Sequence, residues 1–422
     1  MSEILKTSEY TPWVGRLDDQ DWAFVKGELS QQIKATREIR DGREVCVLDP
    51  GQYVGIVVLP SGNHFEVVPK VPVENLFYMI SVAFRLDPFR SETATFERLD
   101  DLLAAIARIF AGLVEERIAE GLYRSYIECS DNLRYVRGRI DFAQDLRRNL
   151  LSRQRVHCTY ADFTWDIEEN QILRQVAHLL SGWGFDPALR LRLSRLDNAL
   201  AEVSPVTLPA SAISRFRYDR FNDGYRHPHQ LCLLFLEGAS LSEKLGVWDS
   251  RTFLVDMNKL FELFVTEILM MRAAGGLTVS AQVELSLAEG NRIPIRPDIM
   301  IEKRGHTLVV VDCKYKRMTS QALNHDDYYQ VLAYCIATRS PNGLIVYPRQ
   351  EFGSERQAKI RNTGISVAQC AIDCSLAIDA FEKECDRFAE YVFSMAEDVE
   401  HQSRYIHRDL QDQESVRERA RN

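Results

Sequence analysis

The chain contains no Gly-Lys pair anywhere in its 422 residues. That excludes the G-x-x-x-x-G-K-[ST] loop, so this chain is not expected to hydrolyse a nucleotide itself. It also has no apolar run near the roughly 18 consecutive residues that a membrane span needs. The start, MSEILKTSEYTPW, lacks the basic and then apolar layout of a signal peptide. Nine cysteines, an odd number, are scattered without a framework spacing. Reduced thiols and a cytoplasmic location are therefore expected.

What is there is ordinary for a soluble globular protein: 45% hydrophobic and 27% charged residues. The length suggests two or three domains, each able to bury a core. A net charge of -9 does not advertise a nucleic-acid binder, but net charge is an average and a local stripe still counts. Arg134, Arg137, Arg139, Arg147, Arg148, Arg153 and Arg155 form such a stripe against only Asp141 and Asp145. A solvated helix–loop face explains it equally well.

The first part reads as β-rich, with "REVCVLDP", "YVGIVVLP" and "HFEVVPKVP" as short runs between turn signals. From about Val73 to Glu120 the apolar period becomes helical. Asp162 or Thr164 is a candidate cap for the helix carrying Ile172, Leu173, Val176 and Leu179. "VSPVTLPAS" and "RHPHQ" read as loops, the latter holding His227 and His229. After about Glu397 the chain is polar and is expected to be a frayed helix or disordered tail.

The stretch after Asp256 is the most informative. "DMNKLFELFVTEILMMRAAGG" is a helix, "LTVSAQVEL", "IRPDIMIEK" and "TLVVVDCKYK" are strands, "DDYYQVLAYCIATR" is a helix and "GLIVYP" a buried strand. In "VVVDCKYKR", Asp312, Lys314 and Lys316 share one strand face. A three-residue loop at Arg304-Gly305-His306 would pair Lys303 with Thr307 and set Asp298 opposite Asp312. Opposed side chains lie about 4.5–5.5 Å apart at Cβ, and two like charges that close call for a cation between them. A two-residue turn would place the two carboxylates on opposite faces. Oxygen ligands of this kind suit Mg²⁺, and Lys314 can orient or deprotonate a water or stabilise charge on a phosphate. Gln330 and Tyr334 lie four apart on one helix face, with Asp326 a turn earlier. Glu262, on the preceding helix, can support the metal or orient water, though an exposed helical glutamate is the commoner case.

These residues resemble a known group. Pro297-Asp298, Asp312-Cys313-Lys314 and Gln330-x-x-x-Tyr334 are similar to the PD-(D/E)XK nuclease core with its downstream Gln/Tyr helix. "VGIVVLPSGNHFEVVPKVP", "RGRIDFAQDL" and "CTYADFTWDIEENQIL" narrow the likeness to the McrC subunit of McrBC-type modified-cytosine restriction systems, from about residue 40 to 350. The resemblance implies catalytic roles for Asp298, Asp312 and Lys314, with Asp298 and Asp312 on the metal. Cys313 stands where a small residue is common. It also implies a separate AAA+ GTPase partner, which binds the GTP and recognises double-stranded DNA carrying modified cytosine. Arg137, Arg139, Arg147 and Arg148 are candidates for contact with that partner or with DNA.

The expected fold is α+β. A β-rich N-terminal domain with a helix covers 1–125, and a mainly helical, basic, docking region covers 126–245. A PD-(D/E)XK core covers 246–396 and a polar tail 397–422. Two rival readings are a catalytically silent scaffold that activates the GTPase, and an iron–sulfur exonuclease using Cys370, Cys374 and Cys385. The spacing of those cysteines does not match tight cluster motifs.

Overall fold

The computed structural model describes residues 3–86, 98–151, 154–239, 252–290, 292–316, 325–348 and 356–397. Arg153, the expected boundary at 245/246 and nearly all of the polar tail lie outside these. The fold is a mixed α+β arrangement with several sheets. The residues cluster into two compact units that are not consecutive in the chain. One draws on Ile56–His64 and Asp100–Leu254, the other on Glu3–Gly55, Phe65–Leu99 and the chain from Val255 onward.

In the first unit, helices Glu168–Ser181, Pro187–Ala199 and Arg226–Ala239 pack around Ile172, Leu173, Val176, Leu180 and Trp183, all buried. The Glu168–Ser181 helix has no side-chain cap at Ile167. Neither Asp162 nor Thr164 serves it, because both belong to strand Val156–Thr164. "RHPHQ" is likewise not a loop: it opens the helix Arg226–Ala239. His229 is fully buried there, bonded to the Tyr218 hydroxyl at 3.0 Å and the Glu169 carbonyl at 2.9 Å. Burial pushes its pKa down to about 4. The basic stretch, expected as helix and loop, is loop and one short helix around the two-residue strand Arg139–Ile140, which joins a sheet with the flanking strands Ser125–Leu133 and Val156–Thr164. Ser125–Leu133 alternates exposed and half-buried positions, the period of a half-exposed strand. One short helix, Phe142–Asn149, follows, capped by Asp141.

The three expected N-terminal runs are strands Arg43–Asp49, Tyr53–Val58 and His64–Val68, the first of them wholly in the second unit. Its C-terminal part is organised by eight elements: α1 (Met257–Arg272), β1 (Thr278–Ala281), β2 (Ile299–Lys303), β3 (His306–Cys313), α2 (His325–Thr338), β4 (Asn342–Pro348), β5 (Arg356–Lys359) and β6 (Ser366–Ile372). Strand order is β1-β2-β3-β4-β6-β5. β1, β2 and β3 run antiparallel, while β3, β4 and β6 run parallel. Val309, Val310 and Val311 are all fully buried, so β3 is covered on both faces, as a central strand flanked by helices should be. Asp256 caps α1, accepting from the Asn258 and Lys259 amides.

The β2–β3 hairpin differs from the expected three-residue loop. Lys303 pairs with His306 across two residues, Arg304 and Gly305. Both have positive φ, 52° and 81°, the requirement of a type I′ turn. By itself this turn would put Asp298 and Asp312 on opposite faces. A bulge restores them: Glu302 faces Thr307, whereas Ile301 faces Val309, leaving Leu308 as the extra residue. From there Ile299 faces Val311, and one step further Asp298 comes opposite Asp312.

Helix α2 lies on the face of the sheet lined by Val310, Ile345, Tyr347 and Val367, into which it inserts Val331, Tyr334 and Cys335. It approaches closely because β4 offers Gly343. A methyl there would collide with Val331 Cγ1 and lie 2.9 Å from Cys335 Sγ. Gly343→Ala is therefore expected to cost about 1–3 kcal/mol by overpacking. Urea titration of the full chain measures it, and an unchanged midpoint would refute this packing.

Candidate active site

The ends of β2 and β3 bring the expected carboxylates together. Asp298 precedes β2 and accepts a hydrogen bond from the Cys313 amide at 2.8 Å on Oδ2. Asp312 is the penultimate residue of β3 and is fully buried. Lys314 lies just beyond the strand. Its Nζ is 3.1 Å from Asp312 Oδ1 and 2.8 Å from Oδ2, and its amide donates to Val346 of β4 at 2.9 Å. Asp312 Oδ2 has no well-directed hydrogen bond of its own despite its burial.

Glu262, from α1, joins this group. Its carboxylate accepts from the Gln282 side-chain amide, which also reaches Asp298 Oδ1 at 3.4 Å. Gln282 is a residue that sequence reasoning missed. It sits just after β1 with φ 52°, its amide donates to the Asp298 carbonyl at 2.9 Å, and its Oε1 is buried without a partner. A left-handed glutamine between two carboxylates leaves no periodic trace in a sequence.

Gln330 and Tyr334 on α2 are brought to the same place. Gln330 Nε2 donates to the Tyr334 hydroxyl at 2.7 Å. Burial first, then the charges of Asp312 and Asp298, raise the Tyr334 pKa against the Gln330 bond. The expected Asp326 is exposed. Its neighbour Asp327 turns inward instead, because positions 327, 330, 331 and 334 follow the helical stripe. Asp327 is buried, pairs with Lys316 at 2.7 Å and accepts from the Tyr347 hydroxyl at 2.8 Å.

The electrostatics are those of crowded acids. Burial first, then the Asp298 charge, lifts Asp312 to about 6 against the opposing pull of Lys314. Burial and then Asp298 lift Glu262 to about 7. Asp298 is also raised, chiefly by burial. Burial pulls the Lys314 pKa down, but Asp312 outweighs it and the ammonium is favoured.

Among the described residues no three His, Cys, Asp or Glu side chains form a set able to hold a metal alone. Two carboxylates completed by waters are what Mg²⁺ ordinarily takes. The all-oxygen donors, and a buried Asp312 Oδ2 that has the Lys314 ion pair but no well-directed hydrogen bond, fit such an ion. Cys370, Cys374 and Cys385 are buried free thiols.

The basic stripe is divided. Arg137 pairs with Asp162 at 2.6 Å and stacks over Tyr160, whereas Arg139, Arg147 and Arg148 are exposed. The same sheet, the short helix and the loops beside them expose Tyr126, Tyr135, Phe142, Leu146, Leu150 and Phe163.

Residues 48–348 match the family described as McrBC 5-methylcytosine restriction system component. The chain belongs to this family. Among curated relatives of this McrBC component is the type IV methyl-directed restriction enzyme EcoKMcrBC of Escherichia coli (strain K12). It is 20% identical over 347 residues, covering 77% of this chain and 99% of the relative. Among solved structures, a chain matches from the half-complex of a tetradecameric assembly of Thermococcus gammatolerans McrB AAA+ hexamers with bound McrC. Its TM-score is 0.52 at 16% identity, with 92% of this chain and 100% of that one covered. That likeness shows a shared fold. No helix among the described residues is long and apolar enough to cross a membrane.

The raised acids set a pH dependence. In the folded McrBC component Glu262 titrates near about 7 and Asp312 near about 6, against ordinary values of 4.5 and 3.8. The native state thus holds protons that the unfolded chain has released. The stability this contributes is present below the ordinary values and lost as pH rises through the raised ones. In metal-free protein, Glu262→Gln is expected to melt with wild type near pH 5 and a few degrees higher at pH 8. Calorimetric scans at both pH values check it; a lower melting point at pH 8 would contradict the assignment.

Proposed function

We propose that this chain is the Mg²⁺-dependent DNA endonuclease subunit of a modified-cytosine restriction system, working with and stimulating a separate AAA+ GTPase. The observation that carries the reading is the pair Asp298 and Asp312 at adjacent strand ends, with Lys314 on Asp312. Asp298 and Asp312 would hold the ion. When bound, Mg²⁺ supplies Lewis acidity toward a phosphoryl oxygen and makes a coordinated water more acidic. Lys314, kept as an ammonium by Asp312, donates: it stabilises charge developing on the phosphate and orients the attacking water. Glu262, titrating near neutrality, is suited to take a proton from that water. Gln282 keeps Glu262 and Asp298 in mutual register, while Gln330 and Tyr334 shape the wall facing the scissile strand.

The GTPase partner is assigned from the family and from the assembly that the solved relative forms. Exposed aromatic and aliphatic side chains beside Arg139, Arg147 and Arg148 favour a protein over DNA as what this surface meets. DNA interfaces are polar and cationic, and contiguous apolar exposure marks protein contacts.

Reconstitution with the GTPase from the native host tests both parts. Wild type is expected to cut plasmid bearing modified cytosine only with Mg²⁺ and GTP, and Asp312→Asn to lose about a hundredfold or more of that rate while still stimulating GTP hydrolysis. Combined Phe142→Asp and Leu146→Asp should lose the stimulation. Stimulation by both wild type and Asp312→Asn without any cutting would instead establish a silent scaffold.

A further inference from the structure

Lys314 is one residue past the end of β3, where its amide makes a last bond to the Val346 carbonyl of β4. Its position is also set by its neighbours. On one side, the Cys313 amide is bound to Asp298. On the other, Tyr315 is buried, and its hydroxyl donates to Glu9 Oε1 at 2.9 Å. Glu9 is itself fully buried, and the same oxygen accepts the Lys70 amide at 2.7 Å. Tyr10 adds a second tie: its hydroxyl donates to the Tyr315 carbonyl at 2.6 Å and lies 3.4 Å from Asn258 Oδ1 on α1.

Tyr10 therefore touches both elements that deliver site residues, the end of β3 with Lys314 and the helix with Glu262. The Tyr315 ring also meets Phe261, the neighbour of Glu262, at 5.7 Å. The backbone is bent to permit this. Tyr10 has φ 54°, a conformation non-glycine residues adopt where surrounding contacts enforce it. Its amide is bonded to the Gly51 carbonyl at 2.7 Å, and Lys70 Nζ stands 4.9 Å from its ring centroid. A buried carboxylate and a left-handed tyrosine, both more than three hundred residues from the catalytic motif in sequence, are costly features for a mere strand end.

We propose that Glu9 and Tyr10 are positioning residues of the nuclease site: an N-terminal latch that holds the Lys314–Tyr315 segment and α1 at a fixed spacing. The inference rests on the proposed function for its catalytic meaning. Reacting groups must be held to a fraction of an ångström, and small displacements cost large factors in rate. A latch that acts only on spacing alters turnover and leaves DNA affinity alone.

Tyr10→Phe removes one hydroxyl and keeps the ring; Glu9→Gln keeps the shape and removes the charge. Each is made in the full chain, assembled with the GTPase, and assayed on modified plasmid for kcat and KM separately. Amide hydrogen exchange of the peptide spanning Lys314–Lys316 is followed in the same proteins without substrate. The expected result is a kcat lowered about tenfold with KM and GTPase stimulation unchanged, together with faster exchange at Lys314–Lys316. Unchanged exchange in both variants overturns the latch whatever the nuclease does. Faster exchange with undiminished kcat overturns its positioning role. If wild type itself never cuts while exchange still quickens, the nuclease reading fails, and the positioning claim falls with it.

Discussion

Everything at this site depends on the parity of one strand. Side chains on β3 alternate faces, so a slip of one residue between β2 and β3 would turn Asp312 away from Asp298. The tight turn at Arg304-Gly305 imposes the wrong parity, and the bulge at Leu308 corrects it. Turn and bulge are one device. The turn fixes the hairpin with a glycine at φ 81°, and the extra residue resets the register before the strand reaches the site.

That register concentrates negative charge. Two carboxylates about 5 Å apart in a medium of effective dielectric about 20 repel by about 3 kcal/mol, comparable to a third of a typical domain's net stability. The chain offsets this locally through Lys314 on Asp312, the Cys313 amide on Asp298 and Gln282 between Asp298 and Glu262. The compensation is incomplete: the acids are still pushed toward protonation. The N-terminal contacts at Glu9 and Tyr10 extend the same logic from charge to spacing.

Much of this was legible in the sequence, for identifiable reasons. The strand Val309–Val311 and the placing of Asp312 and Lys314 follow from composition and period 2, and the Gln330/Tyr334 helix face follows from period 3.6. Other features were not legible. The opposition of Asp298 and Asp312 was expected through a three-residue loop; the structure reaches it by a shorter turn and a bulge, because positive φ at Arg304 is invisible in residue type. Asp327 replaces Asp326 since the inward stripe drifts by one residue over two turns. Gln282 comes to the site through a left-handed kink, and Glu9 and Tyr10 through long-range folding. Asp162 lies on strand Val156–Thr164 and pairs with Arg137, so it is not a helix cap.

In the proposed nuclease, Asp298 and Asp312 would jointly hold one divalent cation. Crystals of the full chain soaked in Mn²⁺ test it most directly, by anomalous scattering at the manganese edge. One strong peak is expected beside the two carboxylates, and none in Asp312→Asn crystals treated alike. A peak bound elsewhere, or an empty site with Asp312 still closed on Lys314, would contradict it.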